Sequence, residues 1–141
     1  ETFTIALSSP VNANLSDNSS TVTITDDDTL AITISDNSTT VDNTTIQTIV
    51  SLSNPSSSII TVDYATQDTS AAAGADYTAA SNTLSFAPGV TSQSVPVTIL
   101  DDSAQEGTET LAINLSNATG GATITDAQGV VTILDDDGSA D

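Results

Sequence analysis

The sequence predicts an all-β chain, an antiparallel sandwich of about seven strands set in a tandem array. Three observations predict it. Apolar residues recur with period two in seven short runs, turn residues separate those runs, and the opening of the chain resembles its end.

Taken in order, the runs are Leu30-Ile32-Ile34, Ile46-Val50-Leu52, Ile60-Val62-Tyr64, Leu84-Phe86, Val95-Val97-Ile99, Leu111-Ile113-Leu115 and Val131-Ile133. Successive side chains of a strand point to opposite faces, so each run lays its apolar residues on one face. The residues between them are mostly Thr, Ser, Asn or Asp, and Thr, Val and Ile suit a pleated surface. Turns are expected at Asp36-Asn37-Ser38, Ser53-Asn54-Pro55, Ala87-Pro88-Gly89 and Gly120-Gly121. This spacing of short strands is that of an immunoglobulin-like sandwich. Ala71-Ala72-Ala73 is too short for a helix and is broken by Gly74.

The internal repeat sets the domain boundaries. Glu1-Thr2-Phe3-Thr4-Ile5-Ala6-Leu7-Ser8 resembles Glu109-Thr110-Leu111-Ala112-Ile113-Asn114-Leu115-Ser116. Thr21-Val22-Thr23-Ile24-Thr25-Asp26-Asp27-Asp28 resembles Val130-Val131-Thr132-Ile133-Leu134-Asp135-Asp136-Asp137. Residues 1–28 therefore read as the last hairpin of a preceding copy, incomplete alone, and residues 29–137 as a complete repeat. Residues 138–141 read as a linker or a cut end. A lone two-stranded hairpin is marginal in water. Phe3, Ile5, Leu7, Val22 and Ile24 need a second sheet, expected from chain N-terminal to Glu1 or from a neighbouring chain. The joint Asp28-Thr29-Leu30 is too short for a flexible linker.

Charge narrows the function. The chain has 19 acidic residues and no Lys, Arg or His. Nothing is present to neutralise phosphate, so nucleic acid is not an expected partner, and anionic membrane surfaces are disfavoured. No stretch reaches the roughly 20 apolar residues of a membrane span. Without Cys and His there are no disulfides, thiol chemistry or usual zinc ligands, and only oxygen donors remain. Oxygen donors select hard cations, calcium before magnesium. Without a His or Lys base, the hydroxyls cannot form a hydrolase triad, and no enzymatic activity is expected.

The carboxylates are clustered. Asp101, Asp102, Glu106 and Glu109 precede one strand, and Asp135, Asp136 and Asp137 follow the last. In an antiparallel hairpin those positions share one end of the sheet. Asp68 and Asp42 lie in loops that can join them. At about 6 to 8 Å each pair of such charges costs roughly 0.5 kcal/mol even in water, and the set costs on the order of 10 kcal/mol. Bound calcium would reverse that sign, since it takes about 6–8 oxygens. Asp26, Asp27 and Asp28 end the first hairpin in the same way and are expected to serve the junction.

These segments resemble a known family. Val62-Asp63-Tyr64-Ala65-Thr66-Gln67-Asp68, Ala73-Gly74-Ala75-Asp76-Tyr77, Leu84-Ser85-Phe86-Ala87-Pro88-Gly89, Ile99-Leu100-Asp101-Asp102, Glu106-Gly107-Thr108-Glu109-Thr110 and Thr132-Ile133-Leu134-Asp135-Asp136-Asp137 are similar, in order, to the Calx-beta repeat. That family includes regulatory domains of sodium–calcium exchangers and very large bacterial surface proteins. The resemblance implies a seven-stranded sandwich with calcium at one tip. It implies ligands at Asp68, Asp101, Asp102, Glu106, Glu109, Asp135, Asp136 and Asp137, and at the backbone carbonyl of Ala104. Asp42 stands where calcium-binding members have Glu, and Ser103 where a third Asp often lies.

The expected function is an extracellular, calcium-binding structural or adhesive repeat of a long surface, fibre or matrix protein. Its expected partners are neighbouring repeats, or neighbouring subunits of a fibre. The alternatives are a calcium-sensing regulatory domain of a transporter or receptor, and an accessory module of a secreted hydrolase.

Overall fold

The computed structural model describes residues 1–25, 29–39, 44–100 and 105–135. Eleven strands form among them: β1 (Thr2–Ala6), β2 (Ser19–Thr23), β3 (Ala31–Ile34), β4 (Asn37–Thr39), β5 (Thr45–Leu52), β6 (Ile60–Asp68), β7 (Ser81–Phe86), β8 (Ser92–Thr98), β9 (Glu109–Ser116), β10 (Thr123–Ile124) and β11 (Gln128–Ile133). Strands β10-β3-β5-β8 make one sheet of a sandwich and β4-β11-β9-β6-β7 the other. The hairpin β1-β2 is a two-stranded sheet of its own. No helix among the described residues is long and apolar enough to cross a membrane.

All seven apolar runs become strands, and their inward residues form one core. Ile32, Val50, Leu52, Val95, Val97 and Ile99 come from the first sheet and its continuation. Val62, Phe86, Leu111, Ile113 and Val131 meet them from the second. Burial of each such side chain stabilises by about 1.5–3 kcal/mol before entropy is set against it.

Two strands were not expected. Asp36-Asn37-Ser38 reads as a turn, yet Asn37–Thr39 is strand β4 and pairs with β11 in parallel. Thr123–Ile124 forms β10, parallel to β3. The chain leaves the first sheet at Ile34 and enters the second at Asn37. Asp36 Oδ1 fixes the crossing by accepting from Val130 N at 2.8 Å. Gly129 makes room for it: a Cβ there would stand 2.7 Å from Ser35 O, a backbone atom that cannot swing away.

One core position is polar. Thr48 is fully buried between Ile46 and Val50 on β5, and its Oγ1 has no hydrogen-bond partner among the described residues. Burying an unpaired hydroxyl costs about 1–3 kcal/mol. Thr48→Val keeps the branched shape and removes the hydroxyl, so it is expected to stabilise the fold by roughly 1 kcal/mol. A urea denaturation midpoint that moves up with an unchanged slope would show this, and a lower midpoint would show that the hydroxyl is satisfied.

Candidate metal centre

The site begins with the register of β9 and β11. Glu109 pairs with Ile133, so the approach to β9 and the exit of β11 lie at one end of the sandwich. The backbone there is already linked to a carboxylate, because Glu106 N donates to Asp135 Oδ2 at 2.8 Å. Of the two acidic runs, the described members Glu106, Glu109 and Asp135 share this end.

The loop between β6 and β7 brings a third segment to the same end. Ser70 N and Ala71 N both donate to Thr110 O, at 3.1 and 2.8 Å, and Thr69 Oγ1 also donates to that carbonyl. Farther along, Thr78 N donates to Thr98 O at 2.8 Å, and Leu100 N donates to Asp76 O at 2.9 Å. The loop is thus tied to the start of β9 and to the chain just after β8. Gly74 takes φ +90°, a conformation glycine adopts without cost, and closes the turn before Asp76.

The result is a group of three carboxylates. Asp76, Glu106 and Glu109 each offer an oxygen, and these oxygens lie within 4.8 Å of one another. Oxygens on opposite sides of a calcium ion stand about 5 Å apart, twice its 2.3–2.6 Å bond length. Asp76 and Glu109 are half-buried and Glu106 is exposed. Ala72 N donates to Asp76 Oδ2 at 2.6 Å and orients that carboxylate. Glu109 is held above the ordinary carboxylate value of 4.5 by burial first, then by the charges of Asp76 and Glu106 and a hydrogen bond with Asp76. The chain has no Lys, Arg or His to neutralise these carboxylates, so a counter-charge at this tip comes from solution. An all-oxygen donor set of this kind suits calcium.

Asp68, an expected ligand, has a second task. Its Oδ1 accepts from the Tyr77 hydroxyl at 2.6 Å and from Ala73 N at 2.9 Å. Those bonds, Tyr77 first, hold its carboxyl below the usual range. Asp68 lies outside the convergent three. Asp42, Asp101, Asp102, Ala104, Asp136 and Asp137 lie outside the described residues, as do Asp26, Asp27 and Asp28 of the first hairpin. Asp76 was not expected as a ligand. It stands alone in a turn, far in sequence from both acidic runs, and only its neighbours Gly74, Ala75 and Tyr77 hinted at a built loop.

A Calx-beta domain model matches this chain twice, over residues 1–28 and 26–137. The chain belongs to the Calx-beta family. Among curated proteins it is 38% identical over 82 residues to the sodium/calcium exchanger Calx of Drosophila melanogaster, an overlap of 57% of this chain and 9% of the exchanger. It is 42% identical over 74 residues to extracellular matrix protein 3 of Lytechinus variegatus, covering 50% of this chain and 2% of that protein. The Calx-beta chain therefore spans a small part of each relative. Among solved structures it superposes on the apo-form Calx CBD1 domain with a TM-score of 0.71 at 27% identity, over 77% of this chain and 99% of that one. The calcium binding domain CBD12 of CALX1.1 matches with a TM-score of 0.70 at 30% identity, over 77% of this chain and 47% of that one.

Proposed function

We propose that residues 29–137 form a non-catalytic calcium-binding module that reads calcium for a larger protein. The observation that carries this is the convergence of Asp76, Glu106 and Glu109 at a tip where burial and the neighbouring carboxylates raise the Glu109 carboxyl and no basic side chain exists. Asp42, Asp68, Asp101, Asp102, Ala104, Asp135, Asp136 and Asp137 are proposed as further ligands, shared between ions. Similarity to exchangers and to calcium binding domains supports a regulatory role over the fibre or adhesive role that composition suggests. The second reading keeps one specific support. A further family match at residues 1–28 is arranged in tandem, and a matrix protein is among the relatives. In that reading the module lies outside the cell and calcium stiffens an array, with Asp26, Asp27 and Asp28 at its joint.

Titration calorimetry of the whole chain tests the binding. Calcium is expected to be taken up with release of protons, while magnesium at the same concentration is not. A silent calcium titration, with equilibrium dialysis also negative, would overturn the proposal. Hydrogen exchange with and without calcium then separates the two readings. Sensing predicts protection changes along β9 and β6 beyond the tip, whereas stiffening predicts changes confined to the tip and the joint.

A further inference from the structure

Strands β7 and β8 end the two sheets on one side of the sandwich. Each pairs on one flank, with β6 and with β5, so alternate residues turn their N–H and C=O away from the sheet. On β8 the bonds Ile99 N to Thr44 O and Leu52 N to Thr91 O set the phase: residues 92, 94, 96 and 98 face out. On β7 the bond Thr66 N to Ala80 O sets it, and residues 81, 83 and 85 face out. A free row of this kind is a template for another strand. Charge does not protect it here. Lys is the usual guard of such an edge, and this chain has none. Between Asp76 and Asp101 it has no charged residue of either sign.

We infer that Asn82, Gln93 and Pro96 close this side of the sandwich to strand addition by a second copy of the chain. Pro96 stands at an outward position and has no N–H, so the middle of β8 offers no donor. Beside it, Thr98 O already accepts from Thr78 N at 2.8 Å. On β7, Thr83 N donates to Asn82 Oδ1 at 2.8 Å, and Ser85 O accepts from Gln93 Nε2 at 2.9 Å. An added strand needs a run of outward donors and acceptors. What stays open on β8 is Ser92 to Ser94, at the short end of strand lengths. The opposite edge uses a similar device. On β4, Ser38 N donates to Asn37 Oδ1 at 2.8 Å, and Asn37 Nδ2 donates to Gln47 O at 3.0 Å. The net charge of −19 keeps copies apart at low ionic strength, but salt screens that repulsion. The amide caps and the proline act at any ionic strength. This inference does not depend on the ion at the acidic tip.

The test is the triple change Asn82→Ala, Gln93→Ala and Pro96→Val in the whole chain, in about 0.15 M salt, where charges more than about 8 Å apart are screened. The variant is expected to sediment as a larger oligomer than the native chain at the same concentration. In it the amides of Ser92 and Ser94 should exchange at least about tenfold more slowly than in the native chain, because a strand laid along this edge covers them. Association through the first hairpin, whose Phe3, Ile5, Leu7 and Ile24 are 49–58% exposed, is common to both proteins and does not protect these amides. Amides of β9 and β11, away from this edge, report folding. Pro96→Val alone, at an exposed position, should give the same protection in part, and it carries the test if the triple variant loses its core protection. A folded variant no larger than the native chain would overturn the inference. So would a larger oligomer whose Ser92 and Ser94 amides exchange as fast as before, since association would then run through another surface.

Discussion

The combined change Asp76→Asn, Glu106→Gln and Glu109→Gln is expected to abolish the rise in melting temperature that calcium gives the native chain, and to raise the melting temperature of the calcium-free protein. A ligand at one hundred times its Kd stabilises by about 2.7 kcal/mol. For a domain of this size that is roughly 10–20 °C. The second half of the expectation is the sharper one. Mutual repulsion among the three carboxylates opposes folding when no cation is bound, so neutral amides should relieve it. The pH dependence follows from Glu109, whose carboxyl is raised in the fold. A raised carboxyl binds its proton better in the folded state, so in chelator stability falls as pH rises from the unfolded value through the folded one. Acidification through that window therefore stabilises the calcium-free chain. With calcium present the slope reverses, because protons then compete with the ion. The melts belong above about pH 4.5, since Asp63 and Asp68 have lowered carboxyls whose contribution is lost as pH falls below the ordinary carboxylate range. Parallel slopes with and without calcium would mean that the ion does not sit on Glu109.

The strands were legible because each needs only a local pattern. Val95-Val97-Ile99 and Leu111-Ile113-Leu115 state their inward face in the sequence, and the structure buries every one of these residues. The repeat was legible for the same reason, and it foretold the uncovered face of the first hairpin. What escaped is non-local. Strand β4 is three polar residues that become a strand only because β11 offers its edge. Thr48 faces the core because β5 keeps its alternation through a polar residue, which a search for apolar runs passes over. Asp76 joins Glu106 and Glu109 through a loop tied down by Thr110, Thr98 and Leu100, and no spacing of carboxylates along the chain encodes that closure. The hairpin register implied by the sequence is observed, and it brings Glu109 and the exit of β11 to one end of the sandwich.

Tyr77 is where the core and the site are joined, and two substitutions there should separate their contributions. The ring is buried, and its backbone bridges to Ile99 and to Ala73. Its hydroxyl donates to Asp68, and Tyr77 itself directly follows Asp76, the carboxylate that converges with Glu109. Tyr77→Ala empties a large core position and is expected to cost about 3–5 kcal/mol, a fall in melting temperature of roughly 15 °C or more with or without calcium. Tyr77→Phe keeps the ring in place and removes the hydroxyl, with its bond to Asp68 and its interaction with Thr66. The calcium-free melting temperature should then fall by a few degrees, while calcium affinity drops by roughly tenfold, because the turn holding Asp76 loses its anchor. The phenol adds an independent check. Burial, and then the bond to Asp68, push its ionisation up to about 12. A raised tyrosine contributes stability that is complete below its unfolded value near 10 and is lost as pH rises through the folded one. Native protein should therefore lose stability between about pH 10 and 12 in a way that Tyr77→Phe does not. Calcium affinity unchanged in Tyr77→Phe, alongside that altered alkaline profile, would show that Asp76 is positioned by its backbone ties alone and that the Asp68 bond serves only the fold.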